Sequence, residues 1–207
     1  MAQRIQLVQQ RVGRAGGEDV TVVAVSKTFG PDAIDAAVSA GIMDVGENYA
    51  QELVEKMPKV VASPKVHFIG RLQRNKVRRV APFVDVWQSV DRSELAVEIA
   101  KRSPGAKIMI QVDISGEESK GGCAVDQLES VMATATDSGL EVVGLMGVAL
   151  LAEPDHARPG FSLLRRLVDE YQLQHCSMGM SADLEVAIDE GSTMVRIGSD
   201  IFGLRSR

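Results

Sequence analysis

Val20-Thr21-Val22-Val23-Ala24-Val25-Ser26-Lys27 is an apolar run that ends on an amine, with Gly30-Pro31 close behind it. A run of this kind reads as a strand buried on both faces, the signature of a parallel sheet. It delivers one lysine to the end of a strand. Lys27 is then either a surface charge or a Schiff-base nucleophile, and that choice decides the chemistry.

Seven more β-rich runs follow: Asp44–Val45, Val66–Ile69, Val84–Val90, Lys107–Ile114, Glu141–Val148, His175–Met178 and Met194–Ile197. Ile42-Met43-Asp44-Val45 alone supports the first of these. Between the runs lie stretches with apolar residues three or four apart: Pro31–Ala40, Glu47–Met57, Leu72–Val80, Ser93–Arg102, Val125–Ser138, Phe161–Tyr171 and Ser181–Glu190. Residues 1–12 add a helix before the first strand. Pro31 suits a helix start, Gly41, Gly139 and Gly191 suit helix ends, and Asp91 and Ser93 suit N-caps. Strict alternation of strand and helix argues for a parallel sheet, because parallel neighbours need a crossover. Eight strands point to a closed (β/α)8 TIM barrel. A doubly wound open sheet is the alternative, but Ser26-Lys27-Thr28-Phe29-Gly30 lacks its GxGxxG turn.

At 207 residues the chain is expected to form one lean barrel domain over 1–207. The 23 basic against 28 acidic residues give a net charge of −5, which disfavours coating nucleic acid or an anionic membrane. No apolar run reaches the roughly 18 residues of a membrane span, and the N-terminus alternates polar and apolar residues. A cytoplasmic monomer is expected. Cys123 and Cys176 make no CxxC pair, and His67, His156 and His175 show no metal-ligand spacing, so no metal site is read. Cys123 falls near a helix start, Cys176 in a strand, and His67 and His175 suit hydrogen-bonded strand ends.

Barrel chemistry gathers where strands end and helices begin. That rule collects Lys27 after the first strand, Gly46-Glu47-Asn48-Tyr49 after the second, Gly70 to Lys76 after the third, Ser115 to Gly122 after the fifth, Ser177 to Ser181 after the seventh, and Arg196 to Asp200 at the eighth. The loops after strands seven and eight often bind phosphate in such barrels. Ser181 reads as a helix start, Gly198 permits close backbone approach, and Ser199 adds a hydroxyl. Each alone is also an ordinary N-cap or turn. Strands one and eight are neighbours in a closed barrel, so a phosphate there lies near Lys27. An amine beside a phosphate site suggests pyridoxal 5′-phosphate (PLP). Arg196 lies two residues before Gly198 and shares its face; if that face is inward, its guanidinium could meet the pyridine nitrogen. A salt bridge at the barrel end is its other reading.

Ala24-Val25-Ser26-Lys27, Gly46-Glu47-Asn48-Tyr49, His67 to Lys76, Gly144-Leu145-Met146, Ser177 to Asp183 and Gly191 to Gly198 occur in this order along nearly the whole chain. In these blocks the sequence resembles the pyridoxal phosphate homeostasis proteins (the YggS/PROSC family), which share the alanine racemase N-terminal barrel. The resemblance implies that Lys27 carries PLP as a Schiff base and that Asn48 lines the ring pocket. It also implies that Ser181, Gly198 and Ser199 hold the phosphate and Arg196 faces the ring nitrogen. Ser199 stands where many relatives have Thr, which keeps the hydroxyl. The stretch from Val148 to Gly160 is short and departs from the family.

Racemisation needs acid/base groups on both faces of the cofactor. Fold relatives that racemise take the second, a tyrosine, from an added C-terminal domain of a partner subunit, and this chain is expected to end at Arg207 without one. Tyr171 falls at the far end of its helix, which leaves Tyr49. An arginine at the pyridine nitrogen also weakens the ring as an electron sink. The resemblance therefore implies PLP holding and homeostasis, with transfer to apo PLP-dependent enzymes as partners, rather than turnover. A weak PLP-dependent amino-acid racemase is the alternative. Two further readings are a cofactor-free Schiff-base barrel for sugar phosphates and a basic helix, Arg71, Arg74, Lys76, Arg78 and Arg79, that binds RNA or an acidic partner. The last is equally an ordinary solvated helix face.

Overall fold

The computed structural model describes residues 1–149 and 154–203. Its strands are β1 Thr21–Val25, β2 Asp44–Glu47, β3 Lys65–Phe68, β4 Val86–Val90, β5 Lys107–Val112, β6 Glu141–Gly147, β7 His175–Ser177 and β8 Met194–Ile197. They pair in sequence order, all parallel, and β8 closes on β1 with Ala24 opposite Ile197. This is a closed (β/α)8 barrel, as the alternation of strand and helix predicts. Each expected strand is present. Even β2 forms, because Gly46 and Glu47 pair with His67 and Phe68 of β3 and extend it past Val45.

The helices are α1 Ala2–Arg14, α2 Pro31–Ser39, α3 Ala50–Lys56, α4 Val77–Val80, α5 Ser93–Arg102, α6 Leu128–Asp137, α7 Arg158–Glu170, α8 Leu184–Asp189 and α9 Ser199–Phe202. Pro31 opens α2, as its fixed φ favours. Gly139 and Gly191 follow α6 and α8 with φ of 81° and 83°, the left-handed stop expected of glycine.

Several boundaries differ from the sequence reading. Glu47 is taken by β2, so α3 starts at Ala50. The stretch Leu72–Val80 forms only a 3-10 turn at Arg74–Lys76 and the short α4. A 3-10 turn at Val125–Gln127 precedes α6, and α7 begins three residues before Phe161. Ser181 does not start a helix: it lies in a turn, and α8 begins at Leu184. Neither Asp91 nor Ser93 caps α5; Arg92 holds that position without a side-chain cap, and Ser93 donates instead to Thr134 Oγ1 at 3.0 Å. The stretch 148–160 lies partly, and the chain end at 204–207 wholly, outside the described residues.

Two apolar clusters sit between strands and helices, and a third fills the barrel with Val23, Val86, Met109, Val143, Met146 and Met194. Strand alternation assigns Val23 and Val25 to the interior with Gly46, whose added Cβ would meet both. Ser26 and Glu47 therefore face the helices. Branched apolar side chains dominate most such barrels. Here fully buried His67, Gln88 and Ser177 and nearly buried Arg196 enter the middle. His67 is thus an interior group rather than a strand-end one.

Among the described residues no helix is long and apolar enough to cross a membrane, and no group of three or more His, Cys, Asp or Glu could hold a metal. Cys123 and Cys176 are buried free thiols, and burial pushes them up to about 11 and about 12.

Candidate functional site

Lys27 lies two residues beyond Val25 on the inward register of β1, and it is half-buried at the barrel mouth. The residues on either side of it are tied to α3. Lys56 Nζ donates to the Ser26 carbonyl at 3.0 Å and to Glu47 Oε1 at 2.6 Å, and Ser26 Oγ donates to the same carboxylate oxygen at 2.6 Å. Thr28 donates its backbone N–H to Glu52 Oε2 at 2.8 Å. Glu52 in turn lies 3.6 Å from Lys56 Nζ. Thr28 has φ of 71°, a left-handed conformation that a β-branched residue rarely adopts. Such strain gathers at functional sites and persists only where the surroundings fix it. Burial pushes the Glu47 carboxyl above the usual carboxylate range, against the downward pull of Lys56 and Ser26.

Asn48 follows β2 on the inward register of Gly46. It is half-buried, and its Oδ1 is a buried acceptor with no hydrogen-bond partner among the described residues. An unpaired buried acceptor is costly, so it marks a place where a donor belongs. Gly70 fixes the approach of the neighbouring loop. A Cβ there would fall 1.9 Å from the Asn48 carbonyl oxygen, so no other residue fits.

The loops after β7 and β8 meet beside β1. Ser199 Oγ donates to Ser181 Oγ at 3.2 Å, which joins the two hydroxyls expected at a phosphate site. Ser181 is half-buried and Ser199 exposed. The turn holding Ser181 is set by Asp183, whose Oδ1 accepts the Met180 N–H at 2.5 Å. α9 begins at Ser199, so its first amides have no carbonyl of their own helix to bind. A Cβ at Gly198 would lie 3.5 Å from the Val25 carbonyl oxygen, filling the space between the ends of β8 and β1.

Arg11 of α1 stands behind these loops. Its guanidinium grips Glu185 at 2.8 and 2.9 Å and Asp200 Oδ2 at 2.5 Å, and it donates to the Ser181 carbonyl at 3.1 Å. One cation thereby ties together the β7 loop, α8 and α9 and neutralises two carboxylates next to the hydroxyl pair. Its hydrogen bond to Glu185 holds that carboxyl below the usual range.

Arg196 crosses the barrel just below the mouth. It donates to Ser177 Oγ and to the Gly147 carbonyl, each at 2.8 Å. Its partners are a hydroxyl and a carbonyl, so the salt-bridge reading does not describe it. Burial brings its pKa down to about 10, with Asp183 opposing from a distance. All six sequence-derived residues thus lie at the ends of β1, β2, β7 and β8. Sequence reasoning missed Arg11, Glu52 and Lys56, which are ordinary helix residues until the fold brings them to the site.

Tyr49 is the N-cap of α3 and is 48% exposed, and Tyr171 ends α7 on the opposite face of the barrel. Of the five basic residues after β3, only Arg78 and Arg79 are on the α-helix, so no continuous basic helix forms.

The alanine racemase, N-terminal domain family model matches residues 1–206. The pyridoxal phosphate homeostasis protein of Aquifex aeolicus is 40% identical over 216 residues, covering 98% of this chain and 94% of that protein. Its counterpart in Escherichia coli K12 is 36% identical over 219 residues, covering 98% and 92%. The structure of PipY from Synechococcus elongatus with PLP bound superposes with a TM-score of 0.88 at 28% identity, over 98% of this chain and 99% of PipY. Matched nearly end to end in sequence and in fold, the chain belongs to the pyridoxal phosphate homeostasis protein family, built on the alanine racemase N-terminal barrel.

Proposed function

We propose that this protein binds pyridoxal 5′-phosphate as a Schiff base on Lys27 and serves PLP homeostasis by holding the cofactor and delivering it to apo PLP-dependent enzymes. The observation that carries this reading is the 3.2 Å pairing of the Ser181 and Ser199 hydroxyls at the strand ends beside β1, which bears Lys27. PLP supplies an aldehyde that condenses with a lysine amine, together with a phosphate that anchors it. The residues present fit that group: Lys27 offers the amine, the two hydroxyls and the space over Gly198 suit a phosphate, and the unpartnered Asn48 Oδ1 offers an acceptor to the ring.

Arg196 carries only donors, so a ring nitrogen facing it is held as an unprotonated acceptor. That arrangement weakens carbanion stabilisation and favours holding over turnover. In this reading residues 1–207 act as one PLP-binding domain, a cytoplasmic monomer with no catalytic cycle of its own. A weak amino-acid racemase is the second reading, and Tyr49 is the observation in its favour: it stands at the mouth and could offer a second acid/base group.

Two assays separate them. Titration of the purified protein with PLP is expected to give saturable uptake with one equivalent per chain. Incubation of the loaded protein with a panel of L-amino acids is expected to give no sustained D-isomer. Conversion that vanishes in Tyr49→Phe would establish the racemase.

A further inference from the structure

The barrel interior holds a chain of four hydrogen bonds that the PLP site alone does not require. Arg196 Nη1 donates to Ser177 Oγ at 2.8 Å, and Ser177 Oγ donates to Gln88 Oε1 at 2.7 Å. Gln88 Nε2 lies 2.7 Å from His67 Nδ1, and His67 Nε2 lies 2.8 Å from Asp44 Oδ1. The chain starts below the mouth and ends at the first residue of β2, on the opposite face of the barrel. Ser177, Gln88 and His67 are wholly buried, so every polar atom on the way needs a protein partner.

The direction of each bond follows from the donor inventory. Arg196 can only donate, so Ser177 accepts from it and turns its own hydrogen to Gln88 Oε1. The Gln88 amide nitrogen then faces His67 Nδ1 as a donor, so Nδ1 is bare. Nε2 keeps its hydrogen and gives it to Asp44. Burial raises the Asp44 carboxyl, but the hydrogen bond from His67 and the charge of Lys65 pull it the other way and leave the group below the usual carboxylate range, an ionised acceptor. Turning the Gln88 amide over would leave the Ser177 hydrogen without its acceptor and would require a doubly protonated imidazole.

We propose that Asp44, His67, Gln88 and Ser177 are positioning residues that orient the Arg196 guanidinium across the mouth, with His67 held as the Nε2–H tautomer, so that the opposite face of the barrel sets the electronic environment of the bound ring. This rests on the reading that Arg196 meets the ring nitrogen. Ser177 and Gly147 take two guanidinium hydrogens and fix its plane, and the remaining donors are left to the ligand. A buried polar chain that is satisfied at every link rigidifies its members together, and cutting one link loosens the rest.

The test has two arms. In the PLP-free protein, ¹⁵N NMR of the His67 ring is expected to show a bare Nδ1 and a protonated Nε2 at neutral pH. In the PLP-loaded protein, Gln88→Leu and Ser177→Ala are each expected to shift the absorbance band of the bound cofactor and to weaken PLP and pyridoxal about fivefold alike, because the ring end is disturbed and the phosphate end is not. Ser177→Thr, which keeps the hydroxyl, and Asp44→Asn, which keeps an acceptor for Nε2–H, should retain the wild-type band. A doubly protonated or Nδ1–H imidazole overturns the proposal, as does an unchanged band in both Gln88→Leu and Ser177→Ala. If the protein takes up no PLP, the functional reading falls while the NMR arm still decides the relay.

Discussion

Thr28, immediately after Lys27, donates its backbone N–H to the Glu52 carboxylate at 2.8 Å while its own φ is 71°. A strained residue is held by a side chain from the next helix but one, and the strain falls beside the amine on which the functional reading depends. Glu52→Ala is expected to destabilise the protein by about 1 kcal/mol, the loss of one charge-assisted bond at a partly exposed site. It should also slow PLP uptake, because the turn that aims Lys27 relaxes. Urea denaturation and stopped-flow absorbance measure the two effects. Uptake at the wild-type rate would separate Thr28 from the site.

Ser181 and Ser199 are expected to act on the phosphate alone. Ser181→Ala and Ser199→Ala should each weaken PLP by about 1 kcal/mol, roughly fivefold in Kd, and leave pyridoxal, which lacks the phosphate, unaffected. Arg11→Ala should show the same selectivity, because it frees the Glu185 and Asp200 carboxylates next to the hydroxyls. Arg11→Lys restores charge without the two-pronged grip on Glu185 and should recover only part of the loss. Equal weakening of PLP and pyridoxal would place the phosphate elsewhere.

The buried Lys56–Glu47 pair tests the frame under β1. Lys56 is 6% exposed and Glu47 wholly buried. Lys56→Met strands the carboxylate and is expected to cost about 3 kcal/mol. For a chain of this size that lowers Tm by roughly 6–12 °C. Adding Glu47→Gln removes the stranded charge and should return much of the loss. A double variant as unstable as the single one would show that the pair contributes through packing rather than charge.

Asp44 gives a pH dependence with a definite sign. Its folded pKa lies below the unfolded value of about 3.9, so its stabilising contribution is present above that value and is lost as pH falls through the folded one. Asp44→Asn should therefore be less stable than wild type by about 1 kcal/mol at pH 7. The gap should close in acid, as denaturant midpoints at the two pH values would show. A gap that is constant with pH would mean that His67 does not depend on the carboxylate charge.

The barrel was legible because strands buried on both faces read as apolar runs, and the eight runs from Thr21 to Ile197 are separated by amphipathic stretches and turn residues. The strand-end rule then collected the loops that hold Lys27, Ser181, Arg196, Gly198 and Ser199, and the family resemblance singled out Asn48 from the loop after β2. Helix starts were less legible. Glu47 fits a helix and a strand equally until it pairs with Phe68, and Ser181 fits an N-cap until Asp183 closes the turn in front of α8. The supporting cation Arg11 carried no signal, because its partner Glu185 is 174 residues away in the chain. Beside Arg196, the interior relay carries two further signals in the sequence: Gln88 breaks the run Val86–Val90 at an inward position, and Ser177 does the same in β7.

The most direct test is to load wild-type protein and Lys27→Ala with PLP, reduce both with borohydride, and map the modified peptide by mass spectrometry. The expected result is one pyridoxyl adduct on Lys27 in the wild type and none in the variant, with the absorbance of the bound cofactor lost as well. An adduct on another lysine, or equal uptake by both proteins, would contradict the assignment of Lys27.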